Sequence, residues 1–383
     1  MDIMIIGAGI GGLTAAIALQ RQGHRVRVCE AAPELKPVGA GLWVAPNGQE
    51  VLRRIDPELL RQVVSAGFEA DGALIMTASG QILSRVDAKS FAGRYAQAST
   101  LAVRRSDLHR LLHAALTPDT VVCNRRLERY ETDSDKVRVW FADGSSESCD
   151  LLVGADGIHS RVRTQLFGEL PLRYSGQTCW RGLSPIALSG DWARRAAEIW
   201  ADEPGLRAGF SQVDQNTVYF YITALAPAGQ HSKAEKAELL KYLRSFPAIV
   251  SELVEATPAE NLIRADIFDL PPLKTYHQGR VVLLGDAAHA TTPNLGQGAN
   301  QAMESALALA NCLEAFPQLS AALAAYEQRR IPKASSVVNT SWQINQMVNL
   351  HSPLLRQARN FAIRHLPKQL SIKQFDKLYT LSV

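Results

Sequence analysis

The sequence lacks the patterns that mark several large classes of protein. Its five cysteines are far apart and never show CxxC spacing, so we predict free thiols and no metal site. No apolar run approaches the roughly 20 residues that cross a bilayer. The net charge of +4 is small and scattered, which argues against a nucleic-acid partner. The expectation is a cytoplasmic globular protein, and the sequence leaves its oligomeric state open.

A glycine-rich turn near the start of the chain is the most informative local feature. The apolar run at 3–6 predicts a buried strand, and the Leu- and Ala-rich run after the turn predicts a helix. Gly7 permits the turn, Gly9 leaves the backbone bare for a ligand, and Gly12 allows close packing of helix on strand. A second strand ends at Glu30, where a Rossmann unit places a carboxylate on ribose hydroxyls. We therefore predict a dinucleotide site for FAD or NAD, since the acid repels the 2′-phosphate of NADP. A motif that begins at residue 7 also leaves no room for a signal peptide.

The remaining pattern predicts a mixed architecture. A helix is expected over 49–66, and a second helix over 106–116 is expected to be capped by Ser106. The alternation in 137–153 predicts a hairpin with its turn at Asp-Gly. Successive strand-like runs in 171–268, with one helix around 233–243, are typical of an antiparallel sheet. The chain after Tyr326 is mostly helical and fairly basic.

Two further segments complete a pattern with the first glycine turn. These are "GADGIHSRVR" at 154–163 and "GDAAHATTPNLGQGAN" at 285–300. The three segments, in this order, resemble the group A flavoprotein monooxygenases, the single-component FAD-dependent aromatic hydroxylases, and the resemblance covers nearly the whole chain. It implies that NAD(P)H reduces a non-covalently bound FAD. It also implies that O₂ then forms a C4a-hydroperoxyflavin, which hydroxylates a small aromatic or heteroaromatic compound. No second dinucleotide-binding unit is visible, so NAD(P)H is expected to bind transiently.

The resemblance and the pattern together predict the fold class. It is α/β, with a Rossmann-like FAD-binding domain, an inserted antiparallel-sheet substrate domain and C-terminal helices. The predicted FAD-binding domain is discontinuous and covers residues 1–70, 101–168 and 275–325. The substrate domain covers 71–100 and 169–274, and a C-terminal helical segment covers 326–383.

The resemblance also assigns residues to the cofactor. Asp286 is expected at the ribityl chain, and Asp156 near the pyrophosphate. The glycine-rich segment after Asp286 opens a helix, whose free N–H groups would stabilise negative charge on the reduced flavin. The full predicted set is Gly7, Gly9, Gly12, Glu30, Ala31, Arg105, Asp156, Gly157, Asp286, Pro293, Gly296, Gln297, Gly298, Ala299 and Asn300.

Other polar residues of these segments are less decisive. Arg161 and Arg163 are candidates for phosphate contacts, with solvated helix charges as the alternative. His289 is expected to have a structural role, and no catalytic side chain is predicted beyond the flavin.

The substrate is expected where the antiparallel sheet covers the flavin. The candidate residues are Trp180, Arg207, Phe210, Tyr219 and Tyr221, with Arg181 beside them. Arg207 and Tyr219 resemble a pair that faces the substrate in FAD-dependent urate hydroxylases. A guanidinium there suits an anionic substrate. The alternative is ordinary aromatic packing with a solvent-facing arginine.

Two other functions stay open at this point. One is an epoxidase or hydroxylase of a larger lipophilic substrate, such as a polyprenyl or polyketide compound. The other is a non-catalytic escort protein that uses a flavin-type fold. The basic stretch 354–379 bears on the first, because a basic amphipathic helix can lie on a membrane surface. We favour the alternative that this stretch packs on the FAD domain and turns a solvated face outward.

Overall fold

The computed structural model describes residues 1–36, 39–91, 93–95, 99–229 and 236–383. Its strands are β1 (Asp2–Ile6), β2 (Arg25–Cys29), β3 (Gly41–Val44), β4 (Phe68–Glu69), β5 (Gly72–Thr77), β6 (Ile82–Asp87), β7 (Leu101–Arg104), β8 (Val121–Val122), β9 (Leu127–Thr132), β10 (Val137–Phe141), β11 (Ser146–Cys149), β12 (Leu151–Gly154), β13 (Arg173–Ser184), β14 (Arg195–Trp200), β15 (Arg207–Asp214), β16 (Thr217–Leu225), β17 (Ile263–Asp269), β18 (His277–Gln278) and β19 (Val281–Leu283). Its helices are α1 (Ile10–Arg21), α2 (Pro46–Ile55), α3 (Pro57–Ala66), α4 (Arg105–Ala114), α5 (Arg161–Phe167), α6 (Lys236–Tyr242), α7 (Ala248–Ala256), α8 (Asp286–His289), α9 (Gly298–Ala315), α10 (Leu319–Val348), α11 (Pro353–Arg364) and α12 (Lys368–Tyr379).

A six-stranded sheet brings the three glycine segments together. Its order is β18-β19-β12-β1-β2-β8, and all pairs except β18-β19 are parallel. The carboxyl ends of β1, β12 and β19 therefore lie side by side at one edge, where α/β sheets bind ligands. The glycine turn follows β1, the segment at 154–163 follows β12, and the segment at 285–300 follows β19. The predicted FAD-binding half is thus assembled around this edge.

A seven-stranded sheet forms the second half of the molecule. Its order is β17-β13-β16-β15-β14-β5-β6, and only the β14-β5 pair is parallel. One face packs against α6 and α7 in an apolar cluster that includes Trp180, Phe220, Leu239 and Leu253. The other face carries Tyr219, which packs with Ala40 and Ala102 of the small sheet β3-β7-β4. This second face therefore meets the cofactor-binding half.

Several local predictions differ from the observed elements. The helix expected over 49–66 is two helices, because Pro57 cannot continue the first and Asp56 accepts a hydrogen bond from Glu58 N at 2.9 Å to start the second. Ser106 does not cap α4, which begins at Arg105 after an extended Arg104. The helix α7 was not predicted. The helix expected at 233–243 corresponds to α6, and its first three residues lie outside the described part.

The C-terminal segment also differs from the expectation. The helix α10 begins at Leu319, so the predicted boundary at Tyr326 falls inside a helix. The helix α11 packs mainly on β6 of the second sheet, whereas α12 packs on α2 of the cofactor-binding half, as expected. The helix α11 exposes large apolar side chains, with Leu354 at 76% and Phe361 at 66% exposure, beside the polar side chains expected on a solvated face. None of the helices in the described ranges is long and apolar enough to cross a bilayer.

Candidate active site

The three predicted glycines of the first turn are needed for different reasons. Gly7 has φ +104°, and a Cβ there would lie 2.5 Å from the Ala155 carbonyl oxygen. A Cβ on Gly12 would lie 2.0 Å from the Gly7 carbonyl oxygen. Gly9 has an ordinary extended backbone, and no described atom lies within 4 Å of the Cβ position. Gly7 and Gly12 therefore serve the fold, whereas Gly9 keeps the N-terminus of α1 accessible, as a bound pyrophosphate requires.

The carboxylate of Glu30 lies beside this turn. One oxygen accepts a hydrogen bond from Ala8 N at 2.9 Å, and the other accepts from Ala32 N at 2.8 Å. Each carboxylate oxygen has lone pairs to spare, so both can still accept from hydroxyl donors. The position after β2, next to Ala31, fits a ribose as the sequence predicts.

Asp156 has a structural task that the sequence did not reveal. Its carboxylate accepts hydrogen bonds from Ser160 Oγ at 2.5 Å, Arg161 N at 2.7 Å and Val162 N at 3.2 Å. These bonds satisfy the free N–H groups at the start of α5. Gly157, with φ +80°, makes the turn that allows this geometry. The hydrogen bonds of Asp156 fix the segment after β12, whose Ala155 carbonyl lies against Gly7 of the first glycine turn.

The two arginines of that segment behave differently, and only Arg163 departs from the prediction. Arg163 is buried and donates to the carbonyl oxygens of Ile158 at 2.6 Å and Ala287 at 3.0 Å. It is therefore neither a phosphate ligand nor a solvated charge, and it ties the second glycine segment to the third. Arg161 donates to the Leu127 carbonyl oxygen at 3.0 Å and stays exposed.

Asp286 is the polar side chain that fits a cofactor most clearly. It follows β19 directly, after Gly285 at φ +62°, and it accepts no hydrogen bond from any residue that the structure describes. Surrounding protein atoms raise the pKa of Asp286, and the positive charge of Arg105 lowers it. Arg105 is exposed at the start of α4 and packs along Gly39. An unpartnered carboxylate with an arginine nearby suits a ligand that carries both hydroxyls and phosphates.

The helix α9 begins with predicted flavin contacts whose side chains are already engaged. Asn300 accepts from Ala45 N at 3.0 Å and donates to the carbonyl oxygens of Trp43 and Gly296 at 3.0 and 2.9 Å. Gln297 is 1% exposed and accepts from Asn47 Nδ2 at 3.0 Å. These two amides shape the loop, so they are not free to bind a ligand.

What this segment offers a ligand is its backbone. Gly298 and Ala299 open α9, and their N–H groups lie in the first turn, where no helical acceptor exists. Pro293 opens the short turn before them, and Gly296 has φ +61°. The exposed positive end of an 18-residue helix fits the negatively charged edge of a reduced flavin.

His289 has the structural role that the sequence predicts. It is 3% exposed, and its Nε2 lies 2.9 Å from Ser305 Oγ. Burial, assisted by the positive charge of Arg330, lowers the pKa of His289 to about 3. The low pKa keeps the imidazole neutral at physiological pH.

Three of the predicted substrate residues share one face of the second sheet. Arg207 pairs with Thr223, Gly209 with Tyr221, and Ser211 with Tyr219 across β15 and β16. The ring of Tyr221 lies over the backbone of Gly209, where a Cβ would come within 2.3 Å of the ring. Arg207, Tyr219 and Tyr221 thus stand in a row on one face.

That face meets the cofactor-binding half directly. Trp43 Nε1 donates to Ser211 Oγ at 2.9 Å, and the Tyr219 ring packs on the backbone of Gly41. Arg207 Nη2 donates to Asn294 Oδ1, in the loop between Pro293 and Gly296. The predicted substrate face and the predicted flavin loop are therefore in contact.

The Arg207 guanidinium is more enclosed than the sequence suggested. It is 2% exposed, and it also donates to Thr223 Oγ1 at 3.3 Å and to Glu198 Oε1 at 3.2 Å. Tyr221 donates its hydroxyl to the other oxygen of Glu198. Burial opposes the charge, but Glu198 raises the pKa of Arg207 above its usual value. Arg207 is therefore paired with Glu198, whereas the sequence suggested a guanidinium free to bind an anionic substrate.

Phe210 and Trp180 are corrections to the predicted pocket. Both are 1% exposed and lie on the opposite face of the sheet, in the apolar cluster under α6 and α7. Trp180 also stacks with the Arg264 guanidinium, 4.7 Å from the ring centroid. Arg181 lies opposite Tyr221 in the register, on the site face, and is half-buried. Arg181 therefore remains a candidate for the substrate pocket, and Trp180 and Phe210 do not.

Three residues at the junction were missed by the sequence analysis. Trp43 comes from the loop that the sequence left unassigned, Asn294 from the glycine-rich flavin segment, and Glu198 from an apolar strand. The charge of Glu198 within the run "AEIWA" is the one available signal, because a carboxylate in a buried strand needs a partner.

Asp286→Ala is expected to weaken FAD binding without unfolding the protein. The variant removes the unpartnered acceptor, and the loss of a charge-assisted hydrogen bond costs about 1.5–3 kcal/mol, or roughly 10- to 150-fold in Kd. Fluorescence titration of the apoprotein with FAD measures this change. Asp191→Ala, an exposed carboxylate outside this region, is the control and should bind FAD like the wild type. Equal affinity in both variants would show that Asp286 has no role at the cofactor.

Comparisons with known proteins agree with this geometry. The family described as "FAD binding domain" matches residues 1–341. The aurachin C monooxygenase/isomerase of Stigmatella aurantiaca is 38% identical over 91% of this chain and 89% of its own. The 2-heptyl-3-hydroxy-4(1H)-quinolone synthase of Pseudomonas aeruginosa is 31% identical over 99% of this chain and 98% of its own.

A solved structure is similar along the whole chain as well. The Klebsiella pneumoniae protein HpxO, complexed with FAD and uric acid, superimposes with a TM-score of 0.89. It is 30% identical, and the match covers 98% of this chain and 95% of HpxO. These findings set aside the non-catalytic escort alternative. The chain belongs to the FAD-binding-domain family, and it is an FAD-dependent monooxygenase.

Proposed function

We propose that this monooxygenase uses NAD(P)H and O₂ to hydroxylate a small, uncharged heteroaromatic compound. Bound FAD supplies the redox chemistry, accepting electrons from NAD(P)H and activating O₂. The observation that carries the proposal is the hydrogen bond from Arg207 to Asn294. It joins the sheet face with the tyrosines to the loop that leads into α9, so a ring bound at this junction lies next to the flavin end of the cofactor site.

The junction provides groups that suit a heteroaromatic ring. Tyr219 and Tyr221 have their ring centroids 6.3 Å apart and offer aromatic surface. Burial, followed by the negative charge of Glu198, raises the pKa of Tyr221 well above its usual value, so its hydroxyl stays protonated. The buried apolar surroundings exclude water, which protects the oxygen-transfer step.

The charge balance at the junction supports an uncharged substrate. Glu198 compensates Arg207, so the site presents no unpaired cation to a ligand. The names of the relatives support the heteroaromatic class, since one is named as the synthase of a 4(1H)-quinolone and one was solved in complex with uric acid. The heptyl group in the first name brings alkyl-substituted rings within the proposed class.

Arg207→Ala is expected to lower kcat/KM by about 10- to 150-fold, the cost of losing a charged hydrogen-bonding group. The guanidinium holds Glu198 and Asn294 in place, so its removal disorders the substrate side of the junction. FAD should be retained, because Arg207 contacts the loop through Asn294 alone. Steady-state kinetics with measured flavin content is the test, and exposed Arg85→Ala on the same sheet is the control. Normal kcat/KM in Arg207→Ala would end the pocket assignment.

Glu198→Gln is expected to change the preferred charge of the ligand. Without the carboxylate, the Arg207 charge is uncompensated and favours an anion. We expect the affinity for urate to rise relative to that for uncharged 4(1H)-quinolone by about tenfold or more. Ligand-induced changes in the flavin absorption spectrum give both dissociation constants. An unchanged ratio of the two dissociation constants would contradict the role of the ion pair between Glu198 and Arg207. It would not bear on the conclusion that the protein is a monooxygenase.

A further inference from the structure

The helix α11 turns its apolar side away from the protein. Leu354, Leu355 and Phe361 are 76%, 55% and 66% exposed, and Ala358 and Ala362 on the same side are exposed too. A surface helix of a globular protein normally directs this stripe to the core. The orientation of α11 is the reverse.

The opposite side of α11 is firmly attached, so the orientation is fixed. Ile363 packs against a cluster formed by Leu83, Trp200 and Val348. The Arg359 guanidinium stacks on Trp200, 4.5 Å from the ring centroid, and donates to the Met347 carbonyl oxygen at 2.9 Å. A cation and an aliphatic side chain face the protein, while the leucines and the phenylalanine face outward.

Exposed apolar side chains are concentrated in this region. Of the ten large apolar side chains that are exposed in the described part of the chain, six lie between 347 and 370. We call them the C-terminal patch: Met347, Leu354, Leu355, Phe361, Leu366 and Leu370. Several exposed large apolar side chains in one segment of the chain mark a candidate site of interaction.

The charge around the C-terminal patch identifies the partner. Residues 350–379 contain six Lys or Arg and one Asp, so this segment exceeds the net charge of +4 of the whole chain. Arg364, Lys373 and Lys377 are exposed. Two copies of such a surface would repel each other, which argues against a symmetric dimer through the patch. Apolar side chains flanked by cations match the acyl chains and headgroups of an anionic bilayer.

We propose that the C-terminal patch docks the enzyme on an anionic lipid surface, with Leu354, Leu355 and Phe361 inserted at the level of the headgroups. The helix lies in the interface plane and does not span the bilayer. Because α11 packs on β6, docking brings the edge of the substrate sheet to the membrane. The proposal does not depend on which substrate is hydroxylated.

Vesicle sedimentation with the FAD-loaded full-length enzyme tests the proposal. Vesicles of equal parts phosphatidylcholine and phosphatidylglycerol should bind the wild type, and vesicles of phosphatidylcholine alone should bind it much more weakly. The double variant Leu354→Ser, Phe361→Ser should bind the mixed vesicles about tenfold or more weakly, because two large apolar groups no longer insert. Ile263→Ser, at the far edge of the sheet on β17, should bind like the wild type.

The controls separate docking from other effects. Both substituted leucine and phenylalanine positions are exposed, so flavin content and thermal midpoint should be unchanged. The proposal would be overturned if the wild-type enzyme did not bind the mixed vesicles. It would also be overturned if the double variant bound them as tightly as the wild type. A dimer that light scattering detects without lipid, and that the double variant abolishes, would also overturn it by assigning the patch to a second copy.

Discussion

Gly9→Val is expected to give a folded protein that retains no FAD. A side chain fits the local structure, because the backbone of Gly9 is extended and no described atom lies within 4 Å of the Cβ position. The same side chain enters the space that a pyrophosphate must occupy at the N-terminus of α1. The visible absorption of the purified protein and its circular dichroism spectrum measure the two properties separately.

Gly12→Ala is the matched comparison, and it should lose stability first and FAD only as a result. A Cβ there would lie 2.0 Å from the Gly7 carbonyl oxygen, so the turn itself must distort. We expect a large loss of stability in that variant, with FAD loss as its consequence. A yellow Gly9→Val protein would refute the placement of the cofactor. A Gly9→Val protein as unstable as Gly12→Ala would show that Gly9 serves the fold.

Glu304→Gln is expected to destabilise the protein by about 3–5 kcal/mol, the cost of leaving buried cations without their counter-ion. The carboxylate is completely buried on α9 and accepts from Arg330 at 2.5 Å and from Lys333 at 2.7 Å, both on α10. It also accepts from Ser382 N at 2.8 Å, which fastens the C-terminus. Denaturant unfolding at neutral pH with saturating FAD measures the change. Exposed Glu314→Gln on the same helix is the control and should stay within about 1 kcal/mol of the wild type.

The effect of Glu304 should also depend on pH. Burial opposes ionisation, but Arg330 and Lys333 keep the pKa of Glu304 below its ordinary value of 4.5. The ionised carboxylate therefore stabilises the fold fully above pH 4.5, and this contribution is lost as the pH falls through the lower pKa of the folded state. The difference in stability between wild type and Glu304→Gln should narrow as the pH falls below 4.5. A constant difference at all pH values would contradict the ion-pair account.

The cofactor-binding glycines and Glu30 could be predicted from the sequence because their pattern is local. Gly7, Gly9 and Gly12 form one short motif of fixed spacing, and the order strand, turn, helix and acid fixes where Glu30 lies. The hydrogen-bond partners of the polar side chains at the site could not be predicted. Arg163 and Asn300 bond to Ala287 and Ala45, which only the tertiary fold brings near, whereas Asp156 bonds locally to the start of α5.

On the substrate side, the alternation of side chains along β15 decides one assignment. Arg207 and Phe210 are three residues apart on one strand, so they must point to opposite faces. The alternation alone therefore excludes Phe210 from the pocket. Trp180 is different, because its face depends on the pairing of β13 with β16. The partner of Glu198 could not be predicted for the same reason, since the register of β14 against β15 decides that Glu198 meets Arg207.

The measurement that tests the central claim most directly is isotope incorporation during turnover. The FAD-loaded enzyme is supplied with ¹⁸O₂, NADH or NADPH, and a panel of heteroaromatic probes that includes 4(1H)-quinolones, 6-hydroxynicotinate and urate. Mass spectrometry should detect one ¹⁸O atom in the hydroxylated product of an uncharged member of the panel, with one equivalent of NAD(P)H consumed. Product oxygen that comes from water, or NAD(P)H oxidation that yields only hydrogen peroxide with every probe, would contradict the account.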